Sequence, residues 1–93
     1  MHKIVYSKQI VKHIANLKSC GLDKKAKEMV EVLRINPFQN PPPYENLMGN
    51  LDELYSRRIN IKHRMIYQVF RDETNEFDGI IRIINMWSHY ENN

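Results

Sequence analysis

The chain has 93 residues, enough for one hydrophobic core and no second lobe, so residues 1–93 are expected to form a single domain. Hydrophobic residues make up 42% and charged residues 27%, the balance of a globular rather than a disordered chain. Fourteen Lys and Arg against 11 Asp and Glu leave +3, which suits a polyanionic partner without requiring one. The single cysteine, Cys20, excludes an intramolecular disulfide, and its neighbours Ser19 and Gly21 offer nothing to activate a thiolate. The apolar run after Met1 is too short for a signal peptide and no segment could span a bilayer, so a cytoplasmic protein with no membrane partner is expected.

Ile4-Val5-Tyr6 is a short β-prone run, and Ser7 after it can cap a helix through its side-chain oxygen. Ile10, Ile14 and Leu17 then recur at helical spacing, with Val11 widening the stripe. Cys20-Gly21 ends this segment and Asp23 is positioned to cap a second helix. Ala26, Met29, Val30 and Leu33 mark its buried stripe. It must stop near Asn36, because Pro37 disfavours helical geometry in the residue before it.

Residues 37–45 carry four prolines, which remove donors and fix φ, so an irregular, stiff loop ending at Glu45 is expected. Three strands follow: Leu54 to Asn60, Met65 to Phe70 and Ile80 to Trp87. Ile61-Lys62-His63 joins the first two, and Asp72 to Gly79 forms a longer polar connection. Such short connections predict antiparallel pairing. The order β-α-α-β-β-β predicts an α+β fold: a helical hairpin on one face of a small, mainly antiparallel, four-stranded sheet. Strict alternation in the last strand would put Ile81, Ile83, Asn85, Trp87 and His89 on one face, and Ile80, Arg82, Ile84, Met86 and Ser88 on the other.

Metal chemistry has little support in the sequence. His2, His13, His63 and His89 are scattered, with no carboxylate or thiolate cluster at ligand spacing, so neither a metal nor another cofactor is expected. Only three glycines are present and none forms a phosphate-cradling loop. What remains is a set able to cleave RNA unaided. A base takes the 2′-hydroxyl proton, a cation stabilises the phosphoryl charge, and an acid protonates the leaving 5′-oxygen. Glu45, Arg64 and His89 supply those types, and Tyr90 adds a hydroxyl beside His89. Arg57 and Arg58, on opposite faces of one strand, and His63 are candidate RNA contacts. Residue types and spacing alone favour solvated surface side chains over a site, and they leave open which of Glu45 and His89 is base and which acid.

The segments Asn36-Pro37-Phe38, Tyr44-Glu45-Asn46-Leu47, Leu54-Tyr55-Ser56-Arg57-Arg58-Ile59-Asn60-Ile61-Lys62-His63-Arg64-Met65-Ile66-Tyr67 and Trp87-Ser88-His89-Tyr90 resemble the YoeB/Txe family. These are toxins of bacterial toxin–antitoxin pairs within the RelE/ParE superfamily. The resemblance runs from the first strand to Tyr90, and implies a microbial-RNase-like domain and a metal-free endoribonuclease that cuts mRNA in the ribosomal A site. It implies Glu45 as general base, His89 as general acid, Arg64 as the phosphoryl-binding cation and Tyr90 as a substrate-positioning residue. As partners it implies a cognate antitoxin of the YefM/Axe type and operator DNA reached only through that complex, and it leaves homodimer and monomer both open. The rival readings are a ParE-like toxin that poisons DNA gyrase, and a corepressor acting mainly through its antitoxin. Many relatives carry lysine where this chain has Met48, so one cation of the family site is missing here.

Overall fold

A computed structural model describes residues 1–47 and 54–87. The elements run β1 (Lys3–Tyr6), α1 (Ile10–Ser19), α2 (Asp23–Ile35), β2 (Tyr44–Asn46), β3 (Leu54–Arg58), β4 (Arg64–Phe70) and β5 (Ile80–Asn85). They build two helices against one mixed five-stranded sheet of order β1-β5-β4-β3-β2. The expected α+β fold is therefore present, with one strand more than the sequence indicated. Tyr44–Asn46, at the end of the proline-rich segment, pairs antiparallel with β3 and forms the far edge. The prolines stop at residue 43, so nothing in Tyr44-Glu45-Asn46 prevents pairing. At the opposite edge β1 runs parallel to β5, and the other three pairings are antiparallel.

Helix α1 buries Ile10 and Leu17, one face at a spacing of seven, whereas Val11 is 76% exposed and does not widen the stripe. Ser7 does not cap α1 with its side chain. Its hydroxyl instead donates to the Ile84 carbonyl at 3.0 Å, tying the entry of the helix to the sheet. After Ser19 the chain closes a Schellman motif: Leu22 N–H donates to the Leu17 carbonyl at 2.8 Å and Gly21 N–H to Lys18 at 3.1 Å. That closure needs a left-handed residue, and Gly21 takes it with φ +74°. Asp23 sits in the first turn of α2 rather than before it and makes no capping bond, though its charge there suits the helix dipole. Ala26, Met29, Val30 and Leu33 are buried as their spacing predicts, and Asn36 is extended ahead of Pro37.

The core lies between this hairpin and one face of the sheet, joining Ile10, Leu17 and Leu33 to Tyr55, Met65, Tyr67, Ile81 and Ile83. Burying a side chain such as Leu33 completely is worth about 1.5–3 kcal/mol. The strict alternation expected for the last strand fails at one place. Tyr67 pairs with Ile83 but Ile66 pairs with Asn85, leaving Ile84 as an extra residue, a β-bulge. Beyond it the faces exchange. Met86 joins the helix-side core with Ile83, while Asn85 comes to the opposite face beside Ile66. The Ile84 carbonyl, freed from the ladder, accepts from the Ser7 hydroxyl and from the Gln9 side-chain amide.

Candidate functional site

The face away from the helices gathers several of the predicted residues at one end of the sheet. Cross-strand register puts Glu45 opposite Ser56 and Arg64 opposite Arg58, so all four share this face. The Arg64 guanidinium, with 18% side-chain exposure, reaches from β4 through Nη1 to a Glu45 carboxylate oxygen at 3.4 Å and to the Ser56 hydroxyl at 3.3 Å. Ser56 is itself buried and acts as a shelf under the guanidinium. Glu45, 65% exposed, presents its carboxylate to solvent. A pair this open and this long is worth about 0–1 kcal/mol, so an incoming anion can separate it cheaply. Arg58 is exposed at the end of β3. Two arginines directly opposite repel, at a cost of roughly 0.2–1 kcal/mol, which favours an anion between them.

Asn85 fixes the neighbouring strand ends. Its side-chain amide donates to the Arg64 carbonyl at 3.1 Å and to the Trp87 carbonyl at 2.9 Å, bracing the backbone that carries the arginine. The bulge at Ile84 is what turns Asn85 to this side. Nothing in the sequence marks a bulge, so Asn85 was not foreseen. Ser56 could have been read from alternation, since it lies two residues from Arg58 on the same face.

Two expected RNA contacts are placed elsewhere. Arg57 points to the helix side and is 1% exposed. Its Nε donates to the Tyr67 hydroxyl at 3.2 Å, its Nη2 to the carbonyls of Pro37 at 2.9 Å and Gln39 at 2.7 Å, and its Nη1 to the Pro42 carbonyl. The Tyr44 ring packs over the guanidinium at 5.0 Å. A nucleic-acid backbone does not reach it there, so Arg57 is corrected from an RNA contact to a brace of the proline loop. His63 is also buried, its ring stacked on Trp87 at 4.1 Å and 17°, while its carbonyl closes the β3–β4 turn by accepting from Ile59 and Asn60. At 4% exposure it too lies inside the fold rather than open to RNA. His89, Tyr90 and Met48 lie outside the described residues. Among the described residues no group of three or more His, Cys, Asp or Glu side chains could hold a metal ion, and no helix is long and apolar enough to cross a membrane.

A family model describing the YoeB-like toxin of bacterial type II toxin–antitoxin systems matches residues 13–90. The chain belongs to the YoeB-like toxins. Toxin YoeB of Escherichia coli (strain K12) is 39% identical over 49 residues, which covers 53% of this chain and 58% of that protein. The chain thus spans little more than half the length of that curated relative. Among solved structures, the YoeB dimer from Staphylococcus aureus is 29% identical with a TM-score of 0.74, covering 96% of this chain and 98% of that one. The YoeB-YefM complex from the same organism is 27% identical with a TM-score of 0.71, over 97% and 99%. A YoeB/ParE toxin from Agrobacterium tumefaciens matches the fold with a TM-score of 0.79 over 95% and 99%, at 21% identity.

Proposed function

We propose that this YoeB-like toxin is a metal-free endoribonuclease that cleaves mRNA on the translating ribosome. The observation that carries the proposal is the meeting of Glu45 and Arg64 on the open face of the sheet, 3.4 Å apart and accessible to solvent. A carboxylate beside a guanidinium provides a proton acceptor and a phosphate-binding fork at one point. A phosphate entering between them takes the guanidinium in charge-assisted hydrogen bonds stronger than the loose ion pair it displaces. Glu45 is then freed next to the ribose 2′-hydroxyl.

In this scheme Glu45 accepts the 2′-hydroxyl proton, and the 2′-oxygen bonds to phosphorus. Arg64 stabilises the charge on the non-bridging oxygens, held at its working position by Ser56 beneath and Asn85 behind. His89 donates a proton to the departing 5′-oxygen as the phosphorus–oxygen bond breaks, leaving a 2′,3′-cyclic phosphate and a 5′-hydroxyl. Tyr90 orients the substrate, and Arg58 binds an adjacent phosphate. Base and acid are exchangeable in principle between Glu45 and His89, and Glu45 is assigned the base because it already faces the phosphate-binding cation.

The S. aureus relatives form a dimer and a complex with YefM, which supports a YefM-like antitoxin as this chain's inhibitor and a homodimer as its own assembly. Operator DNA is then bound only through the antitoxin complex. The direct test is His89→Gln, expected to abolish growth arrest and mRNA cleavage with the fold retained. A His89→Gln protein that remains fully toxic would sink the assignment.

A further inference from the structure

We infer that Arg57 is a positioning residue for Glu45, acting through the proline loop and never touching substrate. The inference rests on the reading of Glu45 as the base. Glu45 stands on the outermost strand of the sheet, and that strand is three residues long, paired on one side only. So short an edge pairing is marginal by itself, yet a general base must be held to within a fraction of an ångström to be useful. The stretch leading into it has little to brace itself with, because prolines at 37, 41, 42 and 43 supply no backbone N–H. Within it the Gln39 side-chain amide donates to the Pro41 carbonyl at 3.2 Å, while the Pro37, Gln39 and Pro42 carbonyls take a donor from outside the loop.

Arg57 is that donor. One guanidinium takes the carbonyls of Pro37, Gln39 and Pro42, spanning the loop from its first residue almost to its last. The Tyr67 hydroxyl accepts from Arg57 Nε at 3.2 Å and donates to Pro37 at 2.9 Å, so the first carbonyl of the loop is held twice. The grip continues into β2, since Tyr44 is the register partner of Arg57 and lays its ring on the guanidinium. Glu45, the next residue, turns to the other face. Among the described residues no carboxylate pairs with Arg57; carbonyl oxygens, a hydroxyl and an aromatic face compensate the buried charge. A planar five-donor fork is required for this geometry, and lysine, a point donor, cannot supply it.

The test combines kinetics with hydrogen exchange on the full chain. Arg57→Lys is expected to lower kcat for mRNA cleavage by about 10- to 100-fold with KM changed less than about twofold, the signature of a misplaced catalytic group. In a Glu45→Gln background the same substitution should cost nothing further, since its effect runs through the carboxylate. Amide exchange at residues 44–47 should accelerate in Arg57→Lys while β4 and β5 keep their protection. Tyr67→Phe, a milder change to the same brace, should move both readouts in the same direction by less. Multiplicative losses in the double variant, or unchanged exchange at residues 44–47, would overturn the inference. Full activity of Glu45→Gln would instead overturn the base assignment, and the exchange measurement would still decide whether Arg57 holds the strand.

Discussion

Asn85→Ala tests whether the bulge-turned amide braces the site. The side chain is buried and donates two hydrogen bonds, to the Arg64 and Trp87 carbonyls. Each such bond is worth about 0.5–1.5 kcal/mol net, and its loss leaves a carbonyl without that donor. The two together give about 2 kcal/mol of destabilisation. For a domain of this size that corresponds to a fall in Tm of roughly 8–16 °C. Urea unfolding followed by tryptophan fluorescence suits the measurement, because Trp87 is the only tryptophan and lies at one end of the brace. The midpoint should fall at constant m-value. A loss below about 0.5 kcal/mol would show that the amide is dispensable and that the bulge merely redirects the chain.

Arg58→Ala should weaken binding to RNA with little sequence dependence, and lower the salt slope of log K by about one phosphate contact, as read from filter binding at several salt concentrations. An unchanged slope would remove Arg58 from the RNA surface. The Asp72 carboxyl is held below its ordinary value by the Thr74 hydroxyl at 2.7 Å and the Phe77 N–H at 2.9 Å. A lowered carboxyl pKa stabilises the fold above the unfolded value near 3.8 and loses that contribution as pH falls through the folded one. The stability gap between wild type and Asp72→Asn should therefore be full at pH 7 and close below pH 3.8 in urea titrations. His13 is pushed down by burial and then by Lys12, and its Nδ1 accepts from the Met86 N–H at 3.1 Å, which only the unprotonated nitrogen can do. Because the unfolded chain takes up that proton first, stability should fall as pH drops below the ordinary histidine value of 6.5, and His13→Gln should flatten this part of the profile.

The fold was legible where periodicity and punctuation act locally. The Ala26–Met29–Val30–Leu33 stripe, the stop at Asn36 and the break at Gly21 each follow from one short stretch of chain. What escaped depends on distant partners. Tyr44–Asn46 becomes a strand only because β3 offers it an edge, and the Ile84 bulge appears only when β5 must register with β4. The same divide runs through the candidate site. Alternation sets Arg57 and Arg58 on opposite faces but cannot say which face the helices cover, and that choice makes Arg57 a buried brace rather than an RNA contact. Glu45 and Arg64, 19 residues apart, are grouped in the sequence by their chemistry and by the family pattern, with no contact between them legible there. In the structure the β2–β3–β4 register brings them together physically.

The central claim is cleavage of mRNA during translation, and cell-free translation with this protein added, followed by mapping of new mRNA 5′ ends, tests it most directly. New 5′-hydroxyl ends should arise only inside translated frames, should vanish when initiation is blocked, should fall to a small residual level with Glu45→Gln and should be absent with His89→Gln. Intact mRNA, or cuts that persist without translation or in both variants, would contradict it.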